Sequence, residues 1–327
     1  MNILVTGATG FIGQRLVKRL VENGHTVHVL YRNEEKLKVF REAAIKAFRG
    51  ELSDVQSIES AMEGCEQVYH LAACATVWAK NKNDYFDINF TGTLNVLSVA
   101  KKCEVKKVVV TSTAGVFGPS CTHELVDENT IRSTSYFNEY ERTKDYADKY
   151  VMQNFTAHPG VVIVCPTRVY GPGELTNSNA ATKMIKMYKG GKWKFLPGNG
   201  LSVGNYVFVE DVVDGMVLAM DKGRSGERYI LGGENLSFVN FFSEISAQTG
   251  KKYHLFRVPV GLLMLVARLM LVIARMLGIS PLITPGWTRK YLYNWHITSK
   301  KAMDELGYQP LSFAKGLDNT LKWLEKL

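Results

Sequence analysis

Through the first half of the chain, short apolar runs alternate with longer stretches that are apolar on one side only. The runs predict strands at Asn2–Thr6, Thr26–Tyr31, Ala44–Phe48, Gln67–Leu71, Lys107–Ser112 and Gly160–Pro166. The stretches between them predict helices at Phe11–Glu22, Val55–Glu63, Asp84–Cys103 and Asn138–Asn154. Such alternation is what a parallel sheet covered by helices requires. Six strands with intervening helices match an α/β fold with a doubly wound parallel sheet. Beyond Tyr170 the pattern changes. Gly171-Pro172-Gly173 signals a turn, and the remainder mixes helices, short strands and aromatic residues. The expected division is a sheet domain over 1–170 and a smaller C-terminal lobe over 171–327, mainly for substrate, which returns once or twice to the sheet.

The 327 residues, 46% apolar and 22% charged, have an ordinary globular balance and enough length to bury a core without disulfides or metals. Cys65, Cys74, Cys103, Cys121 and Cys165 are odd in number and form no CxxC pair. Neither a disulfide framework nor a zinc site is indicated, no metal is expected, and a reducing cytosol is the simpler setting. Asn2–Val5 already reads as a buried strand, so no signal peptide is expected. A formal charge of +9 suits nucleic acid, anionic lipid or a phosphorylated cofactor. The chain carries no helix-turn-helix, zinc-finger or RNP-like pattern, which argues against nucleic acid.

Directly after the first strand comes Thr6-Gly7-Ala8-Thr9-Gly10-Phe11-Ile12-Gly13. Glycines let the backbone turn tightly and approach a pyrophosphate, and the following helix offers unpaired N–H groups and a positive dipole end. The spacing is GxxGxxG, one residue longer than the usual fingerprint, but its place between a clear strand and a clear helix supports dinucleotide binding. The second strand bears on cofactor choice. An acid about 20 residues on holds a ribose 2′-hydroxyl, whereas an arginine accommodates a 2′-phosphate. Here the strand ends Val29-Leu30-Tyr31-Arg32-Asn33, without an acid, and Lys36 follows one turn later. A guanidinium binds phosphate through two charge-assisted bonds, so NADP (NADPH) is expected rather than NAD.

Tyr140 and Lys144 fall in a helical stretch at i, i+4 and share one face. A phenol titrates at about 10 in isolation. A neighbouring ammonium favours the phenolate, so the group exchanges a proton nearer neutrality. The same lysine suits the nicotinamide ribose. Thr113, at the end of the fifth strand, offers a hydroxyl to a substrate oxygen from the edge where such sheets bind ligands. YxxxK alone is common by chance; it gains weight by following that strand end by 27 residues.

Taken together, Gly7-Gly10-Gly13, Val68–Ala73, Asn89 with Gly92-Thr93, Thr111–Thr113, the Tyr140/Lys144 pair and Pro166–Pro172 resemble the extended short-chain dehydrogenase/reductase family. Val5 through Arg32 is most similar to its dihydroflavonol reductase and 3β-hydroxysteroid dehydrogenase branch. The resemblance implies a Rossmann sheet and catalytic roles for Thr113, Tyr140 and Lys144. It also implies that Glu51 and Leu52 flank the adenine and that Ala72 and Pro166 line the cofactor. Thr113 stands where serine is usual, and Glu51 where aspartate is usual. His70, Asn89, Cys74 and Cys165 read as packed or structural residues, and Asp211 as a helix-start residue.

Val260–Leu277 is almost wholly apolar, with Arg268 and Arg275 seven apart and Arg257 eleven before Arg268. That spacing puts the three arginines on one helical stripe. Charge at the centre makes it a poor membrane span. It suits a helix lying in a membrane interface, as on the inner face of a membrane, or a core or homodimer helix. Lys183, Lys186, Lys189, Lys192 and Lys194 surround Trp193 as either a solvated face or a docking site for anionic lipid or a phosphorylated substrate. Trp287, Tyr291, Tyr293 and Trp295 add aromatic surface for an interface or a pocket. These features favour a lipophilic ketone: a long-chain keto-lipid, a sterol-like ring or a flavonoid-like ring. The competing readings are a nucleotide-sugar epimerase or dehydratase, against which the acid-free second strand argues, and a non-catalytic NADP sensor, which would not need the tyrosine–lysine pair.

Overall fold

The computed structural model describes the chain except residues 41–43, 77, 121–123, 156, 176–178 and 282. Cys121 lies outside the described residues; Cys65, Cys74, Cys103 and Cys165 are free thiols. Strands β1 (Asn2–Thr6), β2 (Thr26–Tyr31), β3 (Ile45–Arg49), β4 (Gln67–His70), β5 (Lys107–Thr111) and β6 (Gly160–Pro166) form where the apolar runs predict them, within a residue. β7 (Arg168–Tyr170), β8 (Phe195–Pro197), β9 (Val203–Phe208), β10 (Arg228–Leu231), β11 (Glu234–Ser237) and β12 (Phe256–Val258) follow. A parallel seven-stranded sheet runs β3-β2-β1-β4-β5-β6-β10. Its order reverses beside β1, the doubly wound arrangement whose ligand crevice opens at the carboxyl ends of the strands. β11-β9-β7 and β12-β8 make two small sheets outside it.

Because side chains alternate along a strand, Val108, Val110, Val161 and Ile163 fill one core while Val109, Val162 and Val164 fill the other. Helices α1 (Phe11–Glu22), α2 (Val55–Met62), α3 (Asn83–Phe86), α4 (Gly92–Lys102), α5 (Glu139–Asn154), α6 (Ala180–Lys189) and α7 (Val209–Lys222) are followed by α8 (Phe238–Thr249), α9 (Val260–Leu277), α10 (Pro285–Arg289), α11 (Lys300–Leu306) and α12 (Phe313–Leu324). α2, α4 and α5 cover one face, and α1 and α7 the other. The single helix expected over 84–103 is instead α3, a π-helical turn at Asp87–Thr91, and α4. Gly92 lets that turn lie against Leu52, whose Cβ a side chain at 92 would meet at 2.8 Å.

Candidate active site

The glycine loop folds as tightly as its composition allows. Gly7 has φ +72°, and a Cβ there would sit 2.5 Å from the Ala72 nitrogen; one on Gly13 would sit 2.2 Å from the Gly7 carbonyl oxygen. α1 starts from Gly10 with no side-chain cap and no acid in its first turn, so the N–H groups of Phe11, Ile12 and Gly13 point their dipole at the loop. The Thr9 carbonyl accepts from Gln14 Nε2 at 3.0 Å. Phe11 is buried, and the Gly171–Gly173 turn lies over it: a Cβ on Gly173 would meet its ring at 2.8 Å.

The other expected cofactor residues gather at the same edge of the sheet. Ala72 follows β4, and Pro166 ends β6. Beyond β3, Leu52 is buried and its carbonyl accepts from Asn95 Nδ2 at 2.8 Å, while the Glu51 side chain is exposed. Arg32 is the first residue after β2, exposed, with no carboxylate partner among the described residues. Lys36 is exposed in a 3-10 turn over Glu34–Phe40.

α5 is capped by Asn138, whose Oδ1 accepts the Glu141 N–H at 2.8 Å. Tyr140, Lys144 and Asp148 recur every four residues along it and share a face. Lys144 and Asp148 are each 1% exposed, and Tyr140 is half-buried. Lys144 makes no hydrogen bond to protein among the described residues, whereas Asp148 accepts from Ser112 Oγ. Half-buried Thr113 caps a short 3-10 turn, Ala114–Phe117, with its Oγ1 accepting from the Gly115 N–H at 3.2 Å. That turn packs on α5, where a Cβ on Gly115 would stand 3.1 Å from Glu141 Cγ. Buried Glu141 in turn pairs with Arg132 at 3.0 Å and with Lys290.

Burial sets the electrostatics. It draws Lys144 down to about 8, opposed by the Asp148 carboxylate, and pushes Asp148 up to about 6, opposed by the Ser112 hydrogen bond and by Lys144. It also holds the Tyr140 phenol above its ordinary value, with Asp148 adding to the effect. This reverses the expectation that the lysine lowers the phenol: desolvation of the phenolate dominates, and the neighbouring acidic groups add to it. Tyr140 therefore carries its proton at neutral pH.

One buried hydrogen-bonded chain joins the glycine loop to α5. Thr6 Oγ1 accepts from the Ala72 N–H at 3.3 Å and pairs with His70 Nδ1 at 2.8 Å. His70 Nε2 meets Thr93 Oγ1 at 3.0 Å, which donates to the Asn89 carbonyl at 2.8 Å. Asn89 Nδ2 donates to Thr143 Oγ1 at 3.0 Å, beside Lys144. His70 is fully buried and drawn down to about 3, so it is neutral. Asn89 sits in the π-helical turn, and its amide also brackets the Cys74 backbone. Ser112, Thr143 and Asp148 were missed by the sequence reading; for Asp148 the i+8 spacing from Tyr140 was the available signal.

The distal half holds several expectations differently. Trp295 and Tyr293 pack around Phe137, with ring centroids 5.8 and 5.2 Å away, rather than forming open surface. Within the lysine run, Lys189 pairs with Glu325 at 3.1 Å and Lys194 lies over the Tyr253 ring at 4.4 Å. Arg257 belongs to β12, ahead of Pro259, where the helix begins. It therefore leaves the helical stripe to Arg268 and Arg275.

A glycine cradle that a Cβ would fill, an uncapped helix N-terminus and a buried lysine that makes no hydrogen bond among the described residues together fit a nicotinamide dinucleotide. The comparisons agree. The family model of the NAD dependent epimerase/dehydratase family matches residues 3–232. Over 100% of this chain and 99% of the relative, it is 28% identical to "Sterol demethylase protein B" of Methylococcus capsulatus. It is 27% identical to the mouse (Mus musculus) "Sterol-4-alpha-carboxylate 3-dehydrogenase, decarboxylating", covering 94% and 86%. Among solved structures, UDP-glucose 4-epimerase of Thermotoga maritima with UDP-glucose superposes with a TM-score of 0.82 at 25% identity, over 100% of this chain and 99% of that one. The chain belongs to the NAD dependent epimerase/dehydratase family. It is an oxidoreductase of the extended short-chain dehydrogenase/reductase type, dependent on a nicotinamide dinucleotide.

Proposed function

We propose that the protein is an NADPH-dependent reductase of a lipophilic ketone, working through Tyr140, Lys144 and Thr113. The observation that carries this reading is the alignment of half-buried Tyr140 and buried Lys144 on one face of α5, which a hydrogen-bonded chain from Thr6 to Thr143 joins to the glycine cradle. When bound, NADPH supplies the hydride that adds to the carbonyl carbon. Tyr140 Oη gives its proton to the carbonyl oxygen; burial keeps the phenol protonated until then. Lys144 holds the nicotinamide ribose and stabilises the phenolate left after transfer. Thr113 Oγ1 donates to the same substrate oxygen, orienting it. Gly7, Thr9, Gly10, Phe11, Ile12 and Gly13 seat the pyrophosphate, Glu51 and Leu52 flank the adenine, and Ala72 and Pro166 line the dinucleotide.

Arg32, exposed and with no carboxylate partner among the described residues, supports NADPH over NADH, with Lys36 one turn on. The apolar helix α9 and relatives whose names refer to sterols support a ring-like or long-chain lipid substrate. The test is cofactor oxidation with NADPH and NADH over steroid, keto-lipid, flavonoid and nucleotide-sugar substrates. Tyr140→Phe is expected to keep cofactor binding and lose about 10²–10⁴-fold in turnover. Arg32→Ala is expected to weaken NADPH by about 1.5–3 kcal/mol and spare NADH. Near wild-type turnover in the first variant, or equal loss of both cofactors in the second, overturns the corresponding part.

A further inference from the structure

α9 is eighteen residues long, and among them only Ala267 and Ala274 are buried. At about 100° per residue, these two alanines sit on one side with Leu263, Met264 and Leu271. Leu262, Leu265, Leu269, Val272, Ile273 and Met276 occupy an arc of about 100° on the other. That outer arc is exposed: Leu265 is 54% accessible, Leu269 56% and Met276 80%. A surface of this kind, contiguous and wholly apolar, marks an interaction site. A core helix would bury its large residues and expose its small ones, and α9 does the reverse.

Charge decides what covers the face. Residues 251–303 contain nine Lys and Arg and no Asp or Glu, so this segment alone equals the chain's formal +9 and the rest is balanced. Arg257, Arg268 and Arg275 are exposed, and none has a carboxylate partner among the described residues. Arg268 and Arg275 lie along one flank of the apolar arc. A second copy would bring the same unpaired cations against themselves, whereas an anionic surface neutralises them.

By length and composition α9 could cross a bilayer, but both of its ends are tied to the same body. β12, just before it, pairs with β8, and the Val258 carbonyl accepts the Gly198 N–H at 2.8 Å. After it, Gly278 ends the helix in the left-handed region and α10 folds back onto it. A span would have to part these ends by about 27 Å through the membrane. The helix thus lies flat on the protein with its apolar side outward, the geometry of an interfacial anchor.

We propose that α9 inserts into one leaflet of an anionic lipid bilayer and that the enzyme takes its substrate from that leaflet. α10 packs on α9 and also touches the segment that leads into α5: a Cβ on Gly286 would stand 2.0 Å from the Phe137 carbonyl oxygen, three residues before Tyr140. One short helix thus lies between the membrane face and the chain that leads into the helix carrying Tyr140. The delivery half of this proposal rests on the lipophilic-ketone reading; the docking half does not.

Flotation with phosphatidylcholine vesicles, with and without phosphatidylglycerol, tests the docking. Wild type is expected to float with the anionic vesicles and to be released by high salt. Leu269→Glu/Ile273→Glu should lose at least tenfold in partitioning while keeping the wild-type melting curve. Arg268→Gln and Arg275→Gln should each cost about fivefold on anionic vesicles. A wild type that never floats, or a double glutamate variant that floats equally, overturns docking. So does a wild-type dimer in sedimentation that the glutamates dissociate without any flotation. With a ketone embedded in vesicles the double variant should be slowed, and with a detergent-free soluble ketone it should match wild type. Equal rates on both overturn the delivery half. Flotation with no turnover of any ketone overturns the functional reading and leaves docking standing.

Discussion

Lys144 and Asp148 are each held away from their solution behaviour by the same burial, and each offsets part of the other's displacement. With Lys144 drawn to about 8 and Asp148 pushed to about 6, both are charged together only in a window around neutrality. Below it Asp148 takes up a proton; above it Lys144 loses one. If the ammonium is what holds the ribose and the phenolate, activity should fall as pH rises through the Lys144 value. The Asp148 charge is the first influence opposing that fall. Asp148→Asn keeps the shape and removes the charge, so it should move the basic limb of the kcat/KM profile to lower pH by about one unit or more. A merely structural role for Asp148 would lower the rate at every pH and leave the limb in place, and that outcome would refute the assignment. Glutamate at 148 should restore the wild-type limb.

At the scale of elements, what the sequence revealed and what it hid have different physical origins. β1, α1 and β2 stood out because periodicity, the glycine triplet and the acid-free strand end all express local constraints. The Tyr140/Lys144 face was legible for the same reason: four residues in a helix fix an orientation without reference to anything distant. The hydrogen-bonded chain from Thr6 through His70, Thr93 and Asn89 to Thr143 spans elements far apart in sequence, and no spacing announces it. The π-helical turn carrying Asn89 was hidden too, since it depends on how closely Gly92 approaches Leu52. Side-chain energetics also escaped: the i, i+4 rule gives neighbours, while the direction of the Tyr140 shift depends on how much protein surrounds the phenol. Arg257 misled because the eleven-residue spacing fits a helix that Pro259 delays until after it. The apolar helix itself was plain in sequence. Which of its sides faces the protein was not, because Leu and Met occur on both and only the two alanines differ.

For the whole molecule, the question is whether the cofactor sheet stands apart from the chain that follows it. β10, from the distal half, is the seventh strand of the sheet, hydrogen-bonded to β6 from Arg228↔Ile163 to Leu231↔Pro166. α7, also distal, covers the face that α1 shares. Val212, Val213, Met216 and Met220 of α7 and Tyr229, Ile230 and Leu231 of β10 are all essentially inaccessible to solvent. At about 1.5–3 kcal/mol for each large apolar side chain, their burial amounts to at least about 10 kcal/mol. That matches the whole net stability of an ordinary domain, about 5–15 kcal/mol. Cutting the chain at 170 would also uncover Val162 and Val164 and leave β6 as an open edge. A fragment of residues 1–170 is therefore expected to lack a cooperative melt and to bind a hydrophobic dye, despite holding the entire glycine loop and Tyr140. The intact chain should unfold in one transition, with far-UV and near-UV circular dichroism coinciding through a urea titration. Two separated transitions, or a 1–170 fragment that melts cooperatively and binds NADPH, would show that the halves fold independently.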